Sequence, residues 1–210
     1  MSVTAPSRTT SGFTLLELLV VSGLIAGLAA LMLRGYSSTS GVAMRQTESA
    51  LGAKLTLARS TAIKLGRPVR LVVNLDSANP DERLALVALL AQDRSDGSWN
   101  LLAPPLRLGA QVRIVPESSV PAASGVAWPA QVVSRWSATA AIAPAGLPPG
   151  HYGYLEFSAS GGLFGNPKLV FSIVERQALA FTFNSPDQVR CFLVRGSGVA
   201  TLFKEAASIP

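Results

Sequence analysis

Between Phe13 and Leu33 the chain reads FTLLELLVVSGLIAGLAALML, about 21 residues whose only charged side chain is Glu17. At about 1.5 Å per residue a helix of this length spans about 30 Å, the thickness of a bilayer's hydrocarbon core. The run therefore predicts a membrane helix. It exceeds the apolar stretch of a cleavable signal sequence, and it carries a carboxylate that such a sequence lacks. Arg8 ahead of it fits a cytoplasmic N-terminus with the rest of the chain exported. An acidic side chain near the end of a membrane helix costs a few kcal/mol unless a cation neutralises it. No Lys, Arg or His lies between residues 13 and 33. A cation would arise beside Glu17 if the chain were cut just before Phe13, freeing an amino terminus there.

The rest of the 210 residues suits one domain. A single Cys191 excludes an intramolecular disulfide and a four-cysteine zinc site, and the lone His151 excludes a two-histidine metal motif. Because Arg8 and Glu17 are the only charges before Arg34, the whole +6 sits on the chain from Arg34 onward.

After a small, polar break at Gly35–Ser40, residues 42–65 read as a second helical stretch, stopped by Gly66 and Pro68. At about 100° per residue, Met44, Leu51, Leu55, Ala58, Ala62 and Leu65 share one face, the pattern of a helix packed along a domain. Arg45, Lys54, Arg59 and Lys64 scatter around the remaining surface and form no basic stripe. Downstream, alternation of period two replaces helical periodicity. Strands are predicted over 69–75, 111–115, 132–136, 152–157, 168–174, 179–183, 189–194 and 199–203, with 84–90 as a buried strand or a short helix. The stretches up to 129 and over 138–150 read as loops. One long N-terminal helix packed on an antiparallel β-sheet domain is an α+β organisation.

Gly12, Phe13, Thr14, Leu15, Leu16, Glu17, Leu18, Leu19 and Val20 resemble the N-terminal signature of type IV pilins and pseudopilins. The resemblance implies that prepilin peptidase cuts after Gly12 and that Phe13 becomes the N-methylated mature terminus. It also implies that Glu17 neutralises the amine of a neighbouring subunit during assembly. Within the domain, Ala58, Arg59, Ala62, Gly66, Arg67, Pro68 and Val69 resemble the helix-to-strand junction of GspH-like minor pseudopilins and FimT-like minor pilins. The segment LEFSASGGLFG over 155–165 is similar to a hairpin of the same group, without its usual Pro-Asp-Gly. These likenesses imply a leader at 1–12, a transmembrane and assembly helix at 13–33, an amphipathic helix at 34–66 and a β-rich periplasmic domain at 67–210. The implied chain is a structural subunit of a type II secretion pseudopilus, single-pass in the bacterial inner membrane. Its implied partners are prepilin peptidase, other pseudopilins, the membrane and secreted cargo. The alternative is a minor pilin of a type IV pilus serving DNA uptake or adhesion. The stretch from 79 to 151 is matched by neither likeness.

Other constellations read as ordinary structure. His151, Ser158 or Ser160, and Asp187 could be drawn as a hydrolytic triad, but no nucleophile-elbow sequence is present, and His151 after two prolines and Gly150 reads as an exposed loop residue. No enzyme is expected. Cys191 alternates with Val189 and Leu193 as a buried strand thiol. Asp93 and Asp96 in QDRSDGSW read as a turn rather than a calcium site, and Asp76, Asp81 and Glu82 as solvated loop residues. Gly196-Ser-Gly198 reads as a hairpin turn. No cofactor or metal is expected. Arg67, Arg70, Arg190 and Arg195 are the candidate nucleic-acid contacts, but without a dense basic run a soluble basic surface is the preferred reading.

Overall fold

Helix α1 (Leu15–Leu65) leads into a β-rich domain in a computed structural model that describes residues 15–142, 146–177 and 180–210, with the side chains of 29–39 and Gln177 outside the description. The chain divides into two units, Met1–Thr39 and Ser40–Pro210. The expected break at 35–40 is absent: α1 continues through it. A single helical glycine costs about 1 kcal/mol relative to alanine, which does not stop a helix by itself.

In the second unit the α1 face predicted from periodicity is the face that packs. Met44, Leu51, Leu55, Ala58 and Ala62 are buried and Leu65 is half-buried at the edge of the core. The helix ends where Gly66 takes a φ of +60°, a conformation that glycine adopts without a side-chain clash. The Gly66 amide donates to Ile63 O and the Arg67 amide to Ala62 O, both at 3.3 Å, satisfying carbonyls that a helix end leaves open. Arg94 Nη2 adds a 2.8 Å bond to Leu65 O.

Among the described residues, two main sheets follow. The first has the order β3-β2-β1-β7-β6, from β1 (Val69–Asn74), β2 (Leu86–Gln92), β3 (Trp99–Leu101), β6 (Ala138–Ile142) and β7 (Gly150–Phe157), with β4 (Leu106–Arg107) also pairing β2. The second has the order β12-β11-β8-β5, from β5 (Val112–Ile114), β8 (Lys168–Ile173), β11 (Val189–Val194) and β12 (Ala200–Phe203). A separate antiparallel pair joins β9 (Glu175–Gln177) and β10 (Ala180–Thr182). All strand pairs are antiparallel.

The main core lies between α1 and the two sheets, with Leu71, Val87, Leu155, Phe157, Phe171 and Phe183 among its buried members. A second apolar cluster covers the other face of the first sheet through Val72, Leu86, Ala88, Leu90, Leu147 and Tyr152. Strand β2 contributes to both clusters, which is why its sequence is apolar from Leu86 to Ala91 instead of alternating. The helix alternative for 84–90 is thereby excluded.

Two further sequence expectations are corrected. The strand expected over 132–136 is a 3-10 turn at Ala130–Val132 followed by a single bridge between Arg135 and Lys168. The loop expected over 138–150 contains β6, whose alanines have weak strand propensity and are held by pairing with β7. Strands β3, β4 and β9 were not expected, being only two or three residues long.

Candidate functional site

Gly12 and Phe13 lie outside the described residues. Glu17 stands in the first turn of α1, where a carboxylate complements the positive end of the helix dipole. Around it Leu15, Leu16, Leu18, Leu19, Val20, Val21, Leu24, Ile25 and Leu28 are all exposed, Leu15 at 85%. Successive residues on a helix point about 100° apart, so consecutive apolar positions cover every side of this segment. Among the described residues no helix is long and apolar enough to cross a membrane; Phe13 and Thr14 of the 13–33 run lie outside them, as do the side chains of 29–33.

The four arginines proposed from sequence do not act as one group. Arg70 on β1 is held 2.6 Å from the Glu156 carboxylate, its guanidinium 3.8 Å from the Trp99 ring centroid and 4.0 Å from that of Tyr154. Arg190 on β11 places Nε 2.7 Å from Glu48 of α1 and donates through Nη1 to Val189 O and Lys204 O. Both are therefore committed to internal pairing in different sheets. Arg67 is half-buried at the helix exit, and Arg195 is exposed in the turn before β12.

The residues of the drawn triad are separated. His151 lies near the start of the eight-residue β7 and Ser158 just past its end, about 24 Å apart at about 3.4 Å per residue. Ser158 Oγ meets Ser160 Oγ at 2.9 Å. His151 is exposed as expected but belongs to a strand, and its Nδ1 lies 2.7 Å from Asp76 Oδ2 while its amide donates to Asp76 Oδ1 at 2.8 Å. Hydrogen bonding by the His151 ring holds the Asp76 carboxyl below its ordinary range. Asp76 lies 75 positions from His151 in the chain, and nothing local in the sequence marks it as the partner.

Cys191 is buried, and burial pushes its thiol up to about 12. Asp93 accepts from the Ser95 amide and hydroxyl, and Asp96 from the Ser98 amide, as a turn around Gly97 at φ +72° requires. Hydrogen bonding by the Ser95 amide and hydroxyl holds the Asp93 carboxyl low, and hydrogen bonding by the Ser98 side chain and amide does the same for Asp96. Asp81 and Glu82 are not simply solvated: they pair with Arg176 at 2.6 Å and Arg107 at 2.8 Å. Among the described residues no group of three or more His, Cys, Asp or Glu side chains is placed to hold a metal ion.

Residues 49–198 match the family model described as "Type II transport protein GspH". No curated protein matches the chain significantly. Among solved structures, the minor pseudopilin EpsH from the Type 2 Secretion System of Vibrio cholerae aligns with a TM-score of 0.44 and 14% identity, over 76% of this chain and 95% of that one. The family match spans well over half of the chain and includes α1 from residue 49, the helix exit, the first sheet and the second sheet except β12. The chain belongs to the GspH family of type II transport proteins.

Proposed function

We propose that this subunit enters the inner membrane through its N-terminal helix, is cut after Gly12 and methylated on Phe13 by prepilin peptidase, and joins other pseudopilins in a periplasmic filament. The observation that carries the reading is the contrast within α1: apolar side chains on every side over Leu15–Leu28, with one carboxylate, Glu17, in the first turn. Side chains of that kind gain about 25 cal/mol per Å² when removed from water, so lipid and the helices of neighbouring subunits are their natural surroundings. A methylated terminal amine keeps its positive charge. In a low-dielectric filament core its attraction to a carboxylate is far stronger than in water, which gives Glu17 of one subunit a reason to meet the terminus of the next.

The role is structural, and the domain faces outward to partners or cargo. In a strain lacking the gene, secreted enzymes should accumulate in the periplasm and return to the medium when the intact gene is restored. Unchanged secretion would remove the reading and direct attention to surface pili and DNA uptake. Mass spectrometry of the mature N-terminus tests processing separately, with Phe13 and a methyl group expected and a terminus elsewhere contradicting it.

A further inference from the structure

Strand β6 (Ala138–Ile142) is the longest sheet edge among the described residues, and it pairs with β7 alone. Its sequence, Ala-Thr-Ala-Ala-Ile, has no charge and no proline, features with which proteins normally blunt an open edge. Ala138, Thr139 and Ala141 are exposed.

Each face of this edge opens into a cavity. Neighbouring strand residues point to opposite sides of a sheet. Ala138 lines a cavity of about 540 Å³ together with Tyr154, Ser158, Ser160 and Phe164, the last 96% exposed. Thr139 lines another of about 430 Å³ with Trp136, Leu84, Phe181 and Arg83. The wall of the second is fixed by backbone bonds, since the Leu84 amide donates to Asn74 O and its carbonyl accepts from Ile114. The small side chains of β6 leave both spaces open.

We propose that β6 accepts an added β-strand from a different protein chain. The unmet N–H and C=O groups of a strand edge are matched by another extended backbone, and specificity comes from pockets that receive alternate side chains of the incoming strand. Here the side toward Trp136, Leu84 and Phe181 takes an aliphatic or aromatic residue, and the side toward Tyr154, Ser158 and Ser160 takes a hydrogen-bonding one. The segment is uncharged. Glu156 beside the first cavity is already neutralised by Arg70, and the second holds Arg83 and Glu117 together. A second copy of this chain fits poorly, because its own β6 would bring mainly alanines to cavities of several hundred Å³. The inference stands on the sheet geometry and does not depend on processing or assembly of α1.

The test uses the full-length chain in detergent and a phage-displayed library of random ten-residue peptides. Selected peptides should share an alternating apolar and polar pattern without net charge. The tightest, made synthetically, should slow amide exchange within Ala138–Ile142 at least tenfold. Ala141→Pro on the backbone and Thr139→Lys on the side chain should each weaken its binding at least tenfold, whereas Arg195→Gln should not; Thr139→Lys decides if the proline variant misfolds. The proposal is overturned if no peptide is selected, if the peptides protect another strand, or if their binding survives Thr139→Lys. Concentration-dependent protection of Ala138–Ile142 without peptide would make a second copy the occupant and overturn it equally.

Discussion

Residues 15–28 and 44–62 belong to one helix and bury their apolar side chains by different routes. In the later stretch Met44, Leu51, Leu55, Ala58 and Ala62 are covered by the chain's own sheets, and the other sides are half-buried or exposed. In the earlier stretch the leucines and valines are exposed on all sides of the helix. Periodicity separates the two. A 3.6-residue apolar stripe is the mark of a helix that finds its partner within the fold, whereas apolar residues all round mark one whose partner is another molecule. The first stretch would therefore carry assembly and the second the stability of the domain.

Substitutions can break this division, beginning with the largest effect. Leu51→Ala removes a fully buried side chain between α1 and the sheets and should cost about 2–5 kcal/mol in urea unfolding. Leu19→Ala, on the exposed stretch, should leave the same midpoint unchanged. An equal loss from both would erase the distinction. Gly198→Ala meets two obstacles, a φ of +79° and the carbonyl of Gly161 against the new Cβ, and should cost about 1–3 kcal/mol by thermal melting. Arg70→Ala removes a guanidinium stacked on Trp99 and Tyr154 and leaves Glu156 without its partner, at about 2 kcal/mol. Arg70→Lys should recover only part, since an ammonium lacks the planar surface.

The acid response should be the smallest effect. Asp76, Asp93 and Asp96 have carboxyls lowered by hydrogen bonds from His151, Ser95 and Ser98. A carboxyl lowered in the folded state binds its proton more readily when unfolded. Its contribution is therefore complete above about pH 4 and is lost as pH falls through the lowered folded value. Because all three are open to water, the melting temperature should be level from pH 7 to 5 as far as these groups act, with only a shallow added fall below 4. Cys191 supplies a sharper local probe. With its thiol raised to about 12, it should resist a thiol reagent at pH 8 until denaturant exposes it; rapid reaction in the folded protein would contradict its burial.

What the sequence disclosed follows the same physical line. The packed face of α1, its stop at Gly66, and strands β1, β7, β8 and β11 were legible because helical periodicity, runs of strand-forming residues and the turn residues between them are local signals. Strand β6 was not, because Ala138–Ile142 has little intrinsic strand preference and owes its conformation to the ladder with β7. The roles of Arg70 and Arg190 were equally hidden. Their carboxylates are 86 and 142 positions away in sequence, brought in by sheet register and by packing on α1, so a count of positive charges could not reveal that both were already paired. Asp76 and His151 met for the same reason.

The division within α1 is tested most directly by Glu17→Leu, expressed in place of the wild-type gene, with secreted enzyme activity in the medium and unfolding of the purified chain measured side by side. The account predicts an unchanged unfolding midpoint and membrane insertion with secretion lost. Secretion at the wild-type level with Leu at position 17 would contradict it.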